Sequence, residues 1–179
     1  EKVKIDVSKI DVLINNAGIF KSPSSNNEEG FDMRFVVNYF APYLLTKELI
    51  PLLEKGSEAR IINLSSAAQS PVSLEALRGT TSISVNESYA QSKLAITMWG
   101  MHLAKELKDI TVIAVNPGSL LNTKMANEAY GQYWSPAEKG SDIIYKLAVS
   151  EEHKNSTGKY NGCATNTITS LLIAPLLVW

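Results

Sequence analysis

Three short runs constrain this chain more than anything else in it. They are Val12-Leu13-Ile14, Arg60-Ile61-Ile62-Asn63-Leu64 and residues 110–115, the last mostly Val and Ile. Successive apolar residues, with little alternation, suit strands buried on both faces, as in a parallel sheet covered by helices on either side. Each run stops at small or polar residues: Asn15-Asn16-Ala17-Gly18, Ser65-Ser66-Ala67-Ala68 and Asn116-Pro117-Gly118. Helical patterns separate the runs. Strand and helix in alternation predict an α/β fold, a three-layer parallel sheet with right-handed crossovers. In open parallel sheets ligands bind beyond the carboxyl ends of the strands. Asn15, Ser66 and Pro117 are therefore expected at a site.

The intervening segments follow the same reading. Residues 20–30, rich in Ser, Asn and Pro, form a loop. Residues 28–54 turn helical, with Phe31, Phe35, Asn38, Leu45, Leu49 and Leu53 largely on one side. Pro42 interrupts that helix and frees a carbonyl near Asn38, a natural place for a water. Residues 69–88 read as an extended loop with a small cluster at Leu74 and Leu77. A helix follows to about residue 108, capped within Asn86-Glu87-Ser88. Ser135-Pro136-Ala137-Glu138 opens another, with Ser as cap and Pro in the first turn, running to about residue 150. Gly158-Lys159-Tyr160 begins a short last strand. No internal repeat and no interdomain linker interrupts the chain.

Tyr89 and Lys93 stand four residues apart on the expected helix, so phenol and ammonium share a face. A nearby cation favours tyrosinate. Half-ionisation near neutrality needs a shift of ~3 units, or ~4 kcal/mol, more than one partly wet lysine supplies. A second positive charge, such as an oxidised nicotinamide ring, would help. The pair points to a general acid/base beside a cofactor.

Composition removes other classes. The 179 residues carry a net charge of −1 and no basic tract, which argues against nucleic acid or an anionic membrane as partner. One cysteine, Cys163, cannot close an internal disulfide, which fits a reducing, cytoplasmic setting. His102 and His153 lie far apart without ligand spacing, so no metal is expected. No signal peptide and no membrane-spanning apolar stretch is expected.

Taken in order, Asn15-Asn16-Ala17-Gly18, Asn38, Ser66, Tyr89-x-x-x-Lys93 and Pro117-Gly118 resemble the motif series of the short-chain dehydrogenase/reductase family. The match covers roughly residues 1–160. It implies a Rossmann-like domain over 1–162, of which only the C-terminal portion is present, followed by an atypical apolar tail over 163–179. By that resemblance Tyr89 is the acid/base, and Lys93 lowers its pKa and holds the nicotinamide ribose. Ser66 hydrogen-bonds the substrate oxygen and the tyrosine, and Asn38 holds a relay water. Asn15, Ala17 and Gly18 belong to the adenosine side of the cofactor pocket, and Pro117-Gly118 to the nicotinamide side. The cofactor is NAD or NADP, with NADP favoured. The partner is a small alcohol or carbonyl compound of apolar character, and a homo-oligomer is compatible with the family.

The chain departs from the family in four ways. It begins at Glu1, after the point where the family carries its Gly-rich pyrophosphate turn, so a chain truncated at its N-terminus is expected. Twenty-two residues, 67–88, separate Ser66 from Tyr89, a loop length similar to retinol-dehydrogenase-like members. The carboxamide contact, usually a Thr about five positions after the Pro, falls on Asn122, with Thr123 one later. The tail ends in Leu171-Leu172-Ile173-Ala174-Pro175-Leu176-Leu177-Val178-Trp179, too short to span a bilayer.

The expected function is hydride transfer between NAD(P) and an alcohol/carbonyl pair. Met125, Tyr130, Tyr133 and Trp134, with the 67–88 loop, are expected around an apolar substrate. A non-catalytic binding or scaffold protein of the same fold, or an inactive fragment, is the alternative. It gives no reason to keep Asn38, Ser66, Tyr89 and Lys93 together. A sugar-nucleotide epimerase fits the Asn-Asn-Ala-Gly run poorly, and a serine hydrolase lacks a G-x-S-x-G elbow around Ser66.

Overall fold

The three apolar runs are strands, and they pair side by side. β1 (Val12–Asn15), β2 (Arg60–Leu64), β3 (Thr111–Asn116) and β4 (Lys159–Gly162) are parallel in that order. β5 (Thr167–Thr169) joins β4 antiparallel. The computed structural model describes residues 2–162 and the backbone of residues 167–169. The sheet is thus parallel over four strands, and the fifth reverses inside the segment expected to be a tail. The rest of the 163–179 expectation lies outside the described residues.

Side-chain parity along the strands builds two cores. On one face Ile61 and Val112 pack against Leu49, Leu52 and Leu53 of α3 (Ala41–Leu53) and against Ile96, Trp99 and Leu103 of α5 (Val85–Glu106). On the other face Ile62, Ile113 and Val115 pack against Leu147 and Ala148 of α7 (Ala137–Val149). Each fully buried aliphatic contributes roughly 1.5–3 kcal/mol, so the three layers are held chiefly by these two clusters. Gly100 lets α5 sit close on the sheet, since a Cβ there would lie 2.8 Å from Asn63 Nδ2. Buried Arg60 donates to the carbonyls of Leu147 and Ser150, closing the C-terminal end of α7.

β1 departs from the expectation of a strand buried on both faces. Val12 and Leu13 reach the two cores, but Ile14 is 41% exposed. Among the described residues β1 pairs with β2 alone, and its other edge is open. An open edge with apolar side chains templates pairing with another chain. A polypeptide of residues 1–179, purified alone, is expected to associate with increasing concentration in sedimentation velocity. A monodisperse monomer throughout would show that this edge is covered.

Local boundaries differ from the sequence reading for identifiable reasons. Residues 28–30 form a turn, not the expected start of the helix, which begins at α2 (Met33–Phe35), where the Asp32 carboxylate accepts from Arg34 N–H. A π-helical stretch, Val36–Phe40, then leads into α3, and Ala41 N–H bonds back to the Val36 carbonyl. Pro42, in the first turn of α3, has no N–H to give, so the single wide turn accommodates the missing donor just upstream of it. A short helix α4 (Leu74–Leu77), capped by Ser73, lies inside the expected 69–88 loop. α5 starts one turn before the expected point, because Ser84, not residues 86–88, caps it, and it ends at Glu106. α6 (Lys124–Tyr130) was not expected at all. Ser135 does not cap α7. Its carbonyl instead accepts from Asn122 N–H, and α7 begins after Pro136. Among the described residues no helix is long and apolar enough to cross a membrane. α1 (Lys2–Asp6) is an exposed turn at the start.

Candidate active site

The carboxyl ends of β1 and β2, the π-helical stretch and the second turn of α5 converge on one volume. Lys93 is buried there, 4% exposed, and its Nζ donates to the Leu64 carbonyl at 2.9 Å. The same Nζ lies 5.7 Å from the centre of the Tyr89 ring. Asn38 faces them from the π-helical stretch. Its Oδ1 accepts from Ile19 N–H at 2.8 Å, and its Nδ2 donates to the Ile19 carbonyl and to Ser92 Oγ, each at 3.0 Å. Ser92 in turn donates to the Tyr89 carbonyl at 2.7 Å. The Ser66 hydroxyl accepts from Ala68 N–H at 3.1 Å and lies close enough to the Tyr89 phenol to lower its pKa. Tyr160 of β4 donates to the Ser66 carbonyl at 3.0 Å, pinning the backbone that presents this hydroxyl. The four expected catalytic residues, Asn38, Ser66, Tyr89 and Lys93, are therefore brought together.

Their electrostatics differ from the expectation. Burial pushes the Tyr89 phenol above its ordinary value; the Ser66 hydroxyl opposes this, and Tyr130 adds to it. Phe20 makes part of that burial, with its ring edge-on to Tyr89 at 5.1 Å between centroids. Lys93 does not bring the phenol down. Its ammonium is directed at the Leu64 carbonyl, and burial pulls its own pKa down to about 8. In this arrangement Tyr89 holds its proton at neutral pH.

The short chain dehydrogenase family model matches residues 1–134. The chain belongs to the short chain dehydrogenases. It is 34% identical to retinol dehydrogenase 13 of Mus musculus over 179 residues, covering 89% of this chain and 53% of that protein. It is 33% identical to polyprenol dehydrogenase of Danio rerio, covering 88% of this chain and 56% of that protein. A solved structure of landomycin C-6 ketoreductase with bound NADP and rabelomycin superposes with a TM-score of 0.61. Its identity is 27%, over 90% of this chain and 63% of that one. The chain spans about half the length of the curated relatives it matches.

The residues expected to hold a dinucleotide differ in how open they are. Gly18 matters here: a Cβ in its place would lie 3.3 Å from Lys93 Nζ and 3.5 Å from Asn38 Oδ1 and would crowd both. Ala17 beside it is exposed. Gly118 turns at φ +138° with its N–H on Asn116 Oδ1, and Pro117 is backed by Gly140 of α7. Asn15 corrects the expectation. It is the last residue of β1, not beyond it, and its buried Nδ2 donates to Thr46 Oγ1 and Asn63 Oδ1. It ties β1 to β2 and α3, and its side chain is not open to a cofactor. Thr123 caps α6 by accepting from Ala126 N–H at 3.3 Å, while Asn122 Oδ1 accepts from Asn127 Nδ2. Both hydroxyl and amide thus hold α6 at the end of the Pro117 loop.

α6 lies beside Gly18 and Phe20. Met125 Cε would meet a Cβ at Gly18 at 3.6 Å, and Tyr130 stacks on Phe20 at 5.5 Å. Lys21 donates to the Glu128 carbonyl at 2.6 Å, tying the β1 exit to this helix. Tyr133 and Trp134 were expected around the substrate, but they are largely solvent-exposed, Trp134 at 71%. Phe20, Ser92 and Tyr160 belong to the site and were not singled out in the sequence. Ser92, inside the Tyr89-to-Lys93 interval, was the one most open to discovery there.

Proposed function

We propose that these residues form the catalytic half of an NAD(P)-dependent oxidoreductase that interconverts an alcohol and a carbonyl, with Tyr89 as acid/base. The observation that carries this reading is the meeting of a proton-holding phenol, the Ser66 hydroxyl and a buried ammonium at the carboxyl ends of β1 and β2. A bound nicotinamide would supply or accept the hydride. Ser66 orients the substrate oxygen toward the Tyr89 hydroxyl. Tyr89 gives that oxygen a proton in reduction and takes it back in oxidation. Lys93, whose Nζ would be crowded by any side chain at Gly18, would hold ribose hydroxyls with protons not engaged by Leu64. The backbone of the wide turn that carries Asn38 would give the proton a route toward solvent.

NADP is the favoured cofactor, supported by the NADP-bound ketoreductase relative. The substrate is an apolar, isoprenoid-like alcohol or aldehyde. The names of the retinol and polyprenol dehydrogenase relatives, with the apolar side chains of Phe20 on Tyr89 and of Met125 near Gly18, support that class. The test is an isotope transfer. With NADPH deuterated at nicotinamide C4 and an isoprenoid aldehyde, one deuterium is expected on the carbinol carbon of the product. Product alcohol formed without the label would sink the hydride-transfer reading.

A further inference from the structure

Two polar rungs hold α5 against the helix that carries Asn38, and they straddle Tyr89. The first joins Arg34 to Ser88, whose side chains are both buried. Arg34 Nε donates to Ser88 Oγ at 2.7 Å, and Ser88 Oγ donates to Asp32 Oδ1 at 3.0 Å. The Arg34 guanidinium also grips Asp32 through both oxygens, at 2.7 and 2.6 Å. The second rung is Asn38 Nδ2 to Ser92 Oγ, four residues further along on each helix. Tyr89 directly follows the first rung, and its carbonyl accepts from the second.

We infer that Arg34, Asp32 and Ser88 form a positioning clamp that sets the place of the Tyr89 hydroxyl relative to Ser66 in the reaction proposed above, on which this inference rests. The chemistry of the cluster favours a clamp over a mere filler. A bidentate Arg–carboxylate pair through Nε and Nη2 fixes the guanidinium plane, and the one Nε hydrogen is shared between Asp32 Oδ1 and Ser88 Oγ on α5. Asp32 also caps α2, so one carboxylate sets the start of the Asn38 helix and the first rung together. Without this rung, the N-terminal turn of α5 would be held upstream of Tyr89 by the Ser84 cap and by Glu87, which bonds Ser70 and Gln91. Those contacts lie toward the helix end and do not reach the Asn38 helix. A reacting group displaced by a fraction of an ångström loses rate without losing ligand affinity.

The experiment uses Ser88→Ala and Arg34→Lys, the second keeping the charge on Asp32 but not the fork that also reaches Ser88. Turnover is read at saturating NADPH with an isoprenoid aldehyde. The Tyr89 phenol is titrated by NMR of [ζ-13C]tyrosine protein, its signal assigned among seven tyrosines by its loss in Tyr89→Phe. Lys93, Ser66 and Tyr130 face the phenol and are unchanged in both variants. The clamp predicts kcat lower by about tenfold, an unchanged KM for NADPH and a displaced Tyr89 titration. Ser88→Thr, which keeps the hydroxyl, should restore both readings. A lower thermal midpoint with wild-type kcat and wild-type Tyr89 titration would make the cluster structural only and overturn the inference. Activity surviving in Tyr89→Phe would instead overturn the acid/base reading itself, and the two failures are told apart by that control.

Discussion

Tyr89→Phe is expected to lower turnover by about 10²–10⁴-fold, the usual worth of a positioned acid/base, while cofactor affinity and fold stay near wild type. The expectation rests on geometry. The ring is packed by Phe20 and phenylalanine keeps that edge contact, so only the hydroxyl facing Ser66 is lost. The elevated phenol pKa adds a directional signature. Reduction uses the protonated phenol, which burial preserves across neutral pH. Oxidation needs tyrosinate and should therefore speed up as pH rises toward the tyrosine range, and this rise should vanish in the variant. Initial rates in both directions between pH 6 and about 10 check both statements. Oxidation that is flat with pH in the wild type, or near-wild-type reduction in Tyr89→Phe, would remove Tyr89 from the proton path.

Much of this site was legible because it sits where short-range patterns are strongest. The apolar runs fixed the strands, and the strand ends fixed the neighbourhood of Ser66 and Pro117. The i, i+4 spacing placed Tyr89 and Lys93 on one helix face, and the structure keeps both there. What the sequence hid was long-range or a matter of side-chain direction. Arg34 and Ser88 are 54 residues apart, and nothing local marks them as partners. Ser88 looked like a helix cap because Ser is a good one, but Ser84-x-x-Glu87 had the better cap spacing, and Ser88 was left for the interhelical bond. Asn15 sits on the inward-facing phase of β1, so its amide enters the core while Asn16 faces out. α6 escaped because it has little apolar stripe to announce it; of its residues only Ala126 is buried. It is defined instead by the Thr123 cap and by Gly131, which closes it at φ +66°.

Replacing Lys93 by Met should make the protein more stable near neutral pH, by up to roughly 2 kcal/mol, while abolishing the function proposed for the ammonium. The sign follows from the depressed pKa. Burial holds Lys93 at about 8 in the folded chain against 10.5 for an unperturbed lysine. Below about pH 8 both states carry the proton, and the folded state bears the full penalty, on the order of 3 kcal/mol. Between about 8 and 10.5 the unfolded state binds the proton and the folded state does not, so wild-type stability rises with pH. Above that window the penalty is gone. The hydrogen bond to the Leu64 carbonyl works against the gain, because Met leaves that oxygen without its charged donor, which costs about 1–3 kcal/mol if no water replaces it. The net advantage of Met should therefore be largest near pH 7 and shrink toward pH 10.5, and urea unfolding at several pH values measures it directly. A Lys93→Met protein less stable than wild type at pH 7 would mean that the ammonium's bonds outweigh its burial. The protein would then hold Lys93 as a stabilising residue, not as a charge kept out of water for the reaction.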